Sequence, residues 1–301
     1  MKLYESLCGI LGKENVWCGE LMSRHTTFRV GGPADYFVTP DSEERLQGLL
    51  ELLREDGTPY YVVGNGSNLL VGDKGYRGVV VQIGRRMNRI HVAGNTIEAQ
   101  AGVPLSRLAA QALEEGLKGL EFASGIPGTL GGAVMMNAGA YGGEMKQVLQ
   151  SARVLTTEGK IETRTVEEMK LGYRTSIFAD NGDIILSALI RLETGEREQI
   201  RARMEELKTQ RMTKQPLEYP SAGSTFKRPE GYFAGKLIED AGLRGFQVGG
   251  AQISEKHCGF VINREQATAT DIRSLMERVA DKVEETSGVR LEPEVRQIGE
   301  F

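Results

Sequence analysis

A mixed α+β chain of more than one compact unit is what this sequence predicts, and three observations predict it. Helix-like and strand-like apolar spacings interleave along 301 residues, enough chain for two or three units. The strand-like runs are too short and too unevenly spaced for repeated βαβ units. The 38 glycines exceed ordinary usage and fall in clusters.

In chain order, residues 1–30 read as a short helix leading into a polar strand. From Ser42 to Glu55, Leu46, Leu49, Leu50 and Leu53 recur at helical spacing with charges on the opposite face. Tyr60 to Val63 form a compact strand running into Gly64, and β signals follow at 79–83, 89–92 and 96–99. Helical spacing returns from Leu105 to Leu113 and ends near Gly116. A glycine-rich stretch then runs to Gly143, followed by strands at 151–156, 160–165 and 183–192. The charged segment 196–214 carries Ile200, Met204 and Leu207 on one stripe, an amphipathic helix that marks a domain boundary. Thr270 and Asp271 cap a further helix with Ile272, Leu275, Met276, Val279 and Val283 on its apolar face. Gly288 stops it, and 291–298 reads as a final strand.

Composition narrows the function classes. Hydrophobic residues at 40% and charged residues at 26% describe an ordinary globular protein. A net charge of −4 supplies no overall reason to bind nucleic acid or an anionic membrane, so an anionic ligand needs locally placed donors. The first twenty residues lack a basic start followed by an unbroken apolar stretch, and acidic residues interrupt them, so no signal peptide is expected. No apolar run is long enough to span a bilayer. Cys8, Cys18 and Cys258 contain no CxxC pair and leave an odd count, which suits a reduced, cytoplasmic chain. His25, His91 and His257 are scattered without a ligand pattern, so no metal site is expected.

Two glycine-rich loops carry the first chemical signal. In Tyr61-Val62-Val63-Gly64-Asn65-Gly66-Ser67-Asn68, a strand ends in a turn of small and polar residues. Glycine has no Cβ, so successive backbone N–H groups can approach phosphate oxygens and form an anion-binding nest. Taken alone, this loop reads rather as a tight turn between strands. It is no dinucleotide fingerprint, because Leu69 replaces the third glycine and no helix follows; no GxxxxGK[ST] occurs either. The second loop runs Gly125-Ile126-Pro127-Gly128-Thr129-Leu130-Gly131-Gly132-Ala133 and on through Asn137 and Gly139 to Tyr141-Gly142-Gly143. Its glycines sit where neither helix nor strand needs them, and each costs backbone entropy. The alternative is a glycine-lubricated helix packing plus a loop. Two such cradles in one half of the chain suit an extended diphosphate such as FAD. The candidate cofactor residues are therefore Gly64, Asn65, Gly66, Ser67, Asn68, Gly125, Ile126, Pro127, Gly128, Thr129, Gly131, Gly132, Asn137 and Gly139.

Four further segments complete a pattern: Thr26-Thr27-Phe28-Arg29-Val30-Gly31-Gly32-Pro33-Ala34-Asp35, Gly172-Tyr173-Arg174-Thr175-Ser176, Pro220-Ser221-Ala222-Gly223-Ser224-Thr225-Phe226-Lys227-Arg228-Pro229 and Leu291-Glu292-Pro293-Glu294-Val295-Arg296. With the two loops, and in this order over essentially the whole chain, they resemble the UDP-N-acetylenolpyruvoylglucosamine reductase (MurB) family. Any one segment is weakly specific; all six in order are highly specific. The resemblance implies an α+β fold, with a two-subdomain FAD-binding region of the vanillyl-alcohol-oxidase (PCMH) type and a smaller C-terminal α/β substrate domain. The expected divisions are 1–75 and 76–208 for the FAD-binding subdomains and 209–301 for the substrate domain. The short segment between Tyr141 and Tyr173 is similar to the form of the family without an extra tyrosine loop.

The resemblance also implies non-covalent FAD, NADPH as electron donor, and reduction of an enolpyruvyl group on a UDP-sugar during peptidoglycan precursor synthesis. Arg174 and Glu294 would stabilise the enolate-like intermediate, and Ser224 would deliver the proton. Arginine suits that role because it stays charged and grips a carboxylate with two parallel hydrogen bonds. Taken singly, Arg174 and Glu294 read as surface residues and Ser224 as a turn residue; their joint occurrence in motif order reverses that. Tyr173, Arg211, Lys227, Arg228 and Arg244 are the candidate substrate contacts, with Lys214 a further cation for the diphosphate. A monomer is expected. Alternatives are a flavin oxidase of another small alcohol or sugar, or a flavin-binding protein without catalysis. Against the first, no histidine or cysteine for a covalent tether sits in either glycine loop.

Overall fold

A computed structural model of the chain describes residues 2–301. The chain divides into two compact units, each discontinuous in sequence. One unit comprises the chain up to Trp17, Phe37–Asn65 and Val79–Arg211; the other comprises Cys18–Tyr36, Gly66–Gly78 and Met212–Phe301. The family resemblance predicts three contiguous stretches. Its 208/209 division lies near the last crossing, at Arg211/Met212.

The first unit opens with helix α1 (Lys2–Leu11), which buries Leu7 and Leu11. Helix α2 (Glu43–Asp56) forms as its periodicity predicts, with Leu46, Leu49, Leu50 and Leu53 buried. The Ser42 side chain accepts from the Arg45 N–H, and Gly57 ends the helix in the left-handed region at φ 70°. Tyr60–Val63 then pairs in parallel with Val79–Gln82. A five-stranded antiparallel sheet has the order Ile161–Thr165, Leu149–Leu155, Ile184–Arg191, Thr96–Gln100, Ile90–Ala93. Helix α3 (Leu105–Glu114) buries Leu105, Leu108, Ala109 and Ala112. Two short helices follow, α4 (Leu130–Met135) and α5 (Phe178–Asn181). The long charged helix α6 (Arg197–Lys214) buries Ile200 and Leu207 and runs across the last crossing.

The second unit is built on a four-stranded antiparallel sheet in the order Ser221–Ser224, Phe260–Asn263, Ala251–Ile253, Gln247–Val248. Helices α7 (Ala234–Asp240) and α8 (Ala269–Ser287) contribute Leu237, Ile238, Ile272, Leu275 and Val279 to its core. Phe28, Val30 and Leu70 belong to the same core, so this unit recruits two segments from the first quarter of the chain. Leu69–Val71 pairs in parallel with Arg296–Ile298.

Three expectations change in detail. The N-cap of α8 is Thr268, which exchanges hydrogen bonds with Asp271 in a capping box; Thr270 and Asp271 lie inside the first turn. The final strand covers only Arg296–Ile298, because Pro293 has no N–H and joins an isolated bridge to Phe226 instead. The second glycine stretch contains α4, whose Gly131 would bring a Cβ within 2.9 Å of the Ala101 Cβ. The helix-packing alternative therefore accounts for part of that stretch.

Asp73 ties the early segment to α8. Its carboxylate accepts from the Ala269 and Thr270 N–H groups and from the Thr270 hydroxyl. These first-turn donors lack intrahelical partners, and the helix dipole favours an anion there. Asp73→Ala should lower the unfolding free energy by about 2 kcal/mol, a capping loss with the added cost of abandoned donors. Denaturant titration checks this, and a change under about 0.5 kcal/mol would mean water replaces the carboxylate.

Candidate active site

In the first unit, the strand Tyr60–Val63 delivers Gly64 against Thr129. A Cβ on Gly64 would fall well inside contact distance of Thr129 Oγ1, so only glycine lets the two loops touch. The Gln82 amide fixes this point by donating to the Gly64 carbonyl at 3.1 Å. Gly131 and Gly139 also have packing reasons of their own: a Cβ on Gly139 would lie 2.7 Å from the Gly143 carbonyl. Gly132 differs, with nothing closer than 3.9 Å where its Cβ would be. It leaves an open, side-chain-free surface beside Thr129. Gly125 lies along the Arg211 side chain, its Cβ position 3.0 Å from Nη1. Burial pulls the Arg211 guanidinium below its usual value, with Tyr141 opposing. Ile126 is half-buried, and its N–H donates to the Ala123 carbonyl; Pro127 is exposed, and the Gly128 carbonyl accepts from Leu105.

Asn137 is buried, and both its amide N–H donors are engaged, to Glu144 Oε2 at 3.0 Å and the Gly172 carbonyl at 3.1 Å. Its Oδ1 accepts from the Lys146 N–H. Asn137 thereby holds the turn carrying Tyr173 and Arg174. Gly172 and Thr175 close that turn, and Arg174 occupies the left-handed region at φ 55°. Both Arg174 Nη atoms donate to the Gly139 carbonyl at 3.4 Å, and its Nε is shielded from solvent. The guanidinium lies 5.6 Å from the centre of the exposed Tyr173 ring. Of the six non-glycine residues with positive φ among the described residues, four (Asn137, Tyr141, Lys170 and Arg174) fall between 137 and 174. Such backbone costs of order 1–3 kcal/mol per residue and concentrates at working sites.

In the second unit, Gly66 has φ 60°, and a Cβ on it would collide with the His25 carbonyl. The Thr27 N–H donates to the Gly66 carbonyl at 3.2 Å, while the N–H groups of Gly66, Ser67 and Asn68 have no acceptor among the described residues. Three successive free donors are what an anion nest requires, and the adjacent Thr27 Oγ1 is buried with no hydrogen-bond partner among the described residues. Both features fit a pyrophosphate oxygen as the missing acceptor. Asn65, which precedes this run, is exposed. The Asn68 side chain donates to the Glu294 carbonyl at 3.1 Å, and its own carbonyl accepts from the Arg296 N–H.

Ser224 closes the edge strand of the second unit's sheet. The next residue, Thr225, accepts the Glu294 N–H at 2.8 Å, so the segments bearing Ser224 and Glu294 run side by side. Lys227 Nζ meets Glu292 Oε2 at 3.0 Å. Asn68, Ser224, Lys227 and Glu294 therefore share one neighbourhood. Arg228 lies 4.0 Å over the Phe233 ring and donates to the Tyr232 carbonyl. Arg244 pairs with Glu239 Oε1 at 2.6 Å and donates to the Glu255 carbonyl. The structure also brings out Thr27 and Thr225, which the sequence reading quoted without assigning. Thr27 stands in a motif, yet only its buried hydroxyl marks it. Among the described residues, no His/Cys/Asp/Glu group could hold a metal, and no helix is long and apolar enough to cross a membrane.

The comparisons bear on the whole chain. Residues 215–298 match the family model of the UDP-N-acetylenolpyruvoylglucosamine reductase C-terminal domain, and residues 34–164 match that of an FAD binding domain. A UDP-N-acetylenolpyruvoylglucosamine reductase from Agathobacter rectalis is 55% identical over 94% of this chain and 93% of its own length. One from Alkaliphilus oremlandii is 50% identical over 100% and 99%. The crystal structure of the reductase from Thermus caldophilus superposes with a TM-score of 0.81 at 37% identity, over 93% of this chain and 97% of that one.

The Gly64–Thr129 contact is testable. Gly64→Ala should destabilise the flavin-free protein by about 1–3 kcal/mol, as overpacking does, and lower its FAD content. Thr129→Ala removes the colliding hydroxyl, so the double variant should recover part of both losses in a thermal-melting cycle. Strictly additive losses would mean the two loops do not press on each other.

Proposed function

The chain belongs to the UDP-N-acetylenolpyruvoylglucosamine reductase family, and on that premise we propose that it reduces the enolpyruvyl group of UDP-N-acetylglucosamine enolpyruvate to give UDP-N-acetylmuramate. It is an FAD-dependent oxidoreductase, and the reading takes NADPH as its electron donor. The observation that carries the proposal is the joint presence of the free donor run at Gly66–Asn68 and the Arg174, Ser224 and Glu294 motifs in one chain that matches 93% or more of the length of these reductases. Residues 1–75 and 76–208 then serve flavin binding and 209–301 the substrate, in a cytoplasmic, monomeric enzyme.

Bound FAD supplies hydride transport between NADPH and the substrate, which no side chain can do. The candidate cofactor residues hold it: Gly66, Ser67, Asn68 and Thr27 offer donors to a pyrophosphate, and Gly132 offers bare backbone. Hydride arrival at the enol-ether double bond leaves an electron pair on the carbon beside the carboxylate. Arg174 opposes that charge and binds the carboxylate through paired N–H donors. Glu294 would assist in stabilising the same enolate-like intermediate. Ser224 gives its hydroxyl proton to that carbon, so hydride and proton add across the double bond, and solvent returns a proton to the serine oxygen. Tyr173, Arg211, Lys227, Arg228 and Arg244 are proposed contacts for the nucleotide sugar. Arg228 and Arg244 would exchange internal partners for phosphate oxygens.

The purified protein should be yellow, bleach anaerobically with NADPH, and regain colour on addition of the enolpyruvyl nucleotide. Bleaching without that recovery would favour an oxidase of another substrate. Ser224→Ala should bleach normally and recover on the order of 100- to 10,000-fold more slowly, the range of general acid catalysis. Equal slowing of both half-reactions would remove Ser224 from proton delivery.

A further inference from the structure

The edge strand that ends at Ser224 is not regular. Ser221 pairs with Ile262 and Ser224 with Phe260, so three residue steps on one strand face two on its neighbour. The extra residue is a bulge at Ala222–Gly223, with Gly223 in the left-handed region at φ 77°. A bulge bends its strand and re-aims the side chain that follows. Here that side chain is Ser224.

The bulge leaves a gap that Thr225 fills. On the neighbouring strand, the Phe260 carbonyl accepts from the Ser254 N–H, so Val261 turns its own N–H toward the Ser221–Ser224 side. Val261 is fully buried, and an unmet N–H there would carry a full desolvation penalty. Its partner is a side chain, Thr225 Oγ1, at 2.9 Å. The Thr225 N–H donates to the Gly259 carbonyl at 2.9 Å, and its carbonyl accepts the Glu294 N–H at 2.8 Å. Thr225 is itself fully buried and touches no solvent. It is the shared anchor of the two segments that carry Ser224 and Glu294.

We infer that Thr225 is a positioning residue: its hydroxyl, seated on the Val261 amide across the Gly223 bulge, sets the geometry of the Ser224 proton donor relative to the Glu294 backbone. The inference rests on the functional reading above, which gives Ser224 and Glu294 their roles. Valine matches threonine in shape but cannot accept from Val261, whereas serine can. Loss of this bond lets the bulge relax and shifts Ser224.

The test uses the intact flavoprotein and follows both half-reactions anaerobically. Thr225→Val should bleach with NADPH within about twofold of the wild type but reoxidise with the enolpyruvyl nucleotide about 100-fold more slowly, the penalty for a shift of about 1 Å in a reacting group. Thr225→Ser should return to within about fivefold of the wild type. Hydrogen exchange at the Val261 amide supplies a readout apart from turnover, faster in Thr225→Val and restored in Thr225→Ser. Gly223→Val guards against misfolding: a Cβ there meets nothing within 4 Å, yet a β-branched residue disfavours the left-handed region. It should show the same split between half-reactions. Wild-type reoxidation in Gly223→Val, equal slowing of both halves in Thr225→Val, or no rescue by serine would each overturn the inference. A wild-type protein that the enolpyruvyl nucleotide cannot reoxidise would instead overturn the functional reading, so the two failures stay distinct.

Discussion

The short parallel pairing of Leu69–Val71 with Arg296–Ile298 is the constraint on which the second unit depends. It joins segments more than two hundred residues apart, so its loop-closure entropy must be offset by what it organises. Much is organised around it. Gly72 approaches the Glu300 carbonyl so closely that no other residue fits. Asp73 caps α8, and Asn68 holds the Glu294 carbonyl. The nest of Gly66, Ser67 and Asn68 is therefore the lead-in to a strand that also sets where Glu294 begins. The candidate cofactor loop and the candidate carboxylate residue Glu294 are adjacent consequences of one pairing.

The first unit solves a different problem, holding an arginine in a costly backbone state. Arg174 at φ 55° persists because Asn137 gives one amide proton to the Gly172 carbonyl of that turn and the other to Glu144, and because Ser176 anchors to the Met135 carbonyl at 2.7 Å. Asn137 itself sits at φ 42°. Strain is thus stacked on strain, and buried hydrogen bonds over-determine it. A relaxed turn would be more stable locally but would release the guanidinium from the Gly139 carbonyl.

How much of this was legible in the sequence depended on the range of the interaction responsible. Helix α2 could be read almost to its ends, because the spacing of Leu46, Leu49, Leu50 and Leu53 is a local signal. Helix α8 was found, but its cap moved from Thr270 to Thr268, as a choice between neighbouring threonines depends on which one reaches Asp271. Helix α4 was legible only as an alternative, because glycine argues against a helix and the distant Ala101 is what explains Gly131. The candidate site followed the same rule. The free donors of Gly66–Asn68 could be anticipated from composition, whereas the role of Thr225 required knowing the register of a sheet.

That rule also explains where the chemically interesting side chains lie. Inside a regular ladder each backbone group has a partner and each side chain has a fixed facing, in or out. A residue that must present its side chain edge-on, or leave a donor free, has to sit where regularity fails. Arg174 stands in a left-handed turn, Ser224 follows a bulge, and Glu294 follows a proline that cannot join a ladder. The donors of the nest lie between two strands and in neither. Each irregularity is stabilised by a regular neighbour: the sheet under Ser224, the glycine contacts under Arg174, and the parallel pairing beside Glu294. Stability and chemistry are thus assigned to adjacent residues of the same segments, which is why replacing Thr225 should disturb a reaction in which it touches nothing.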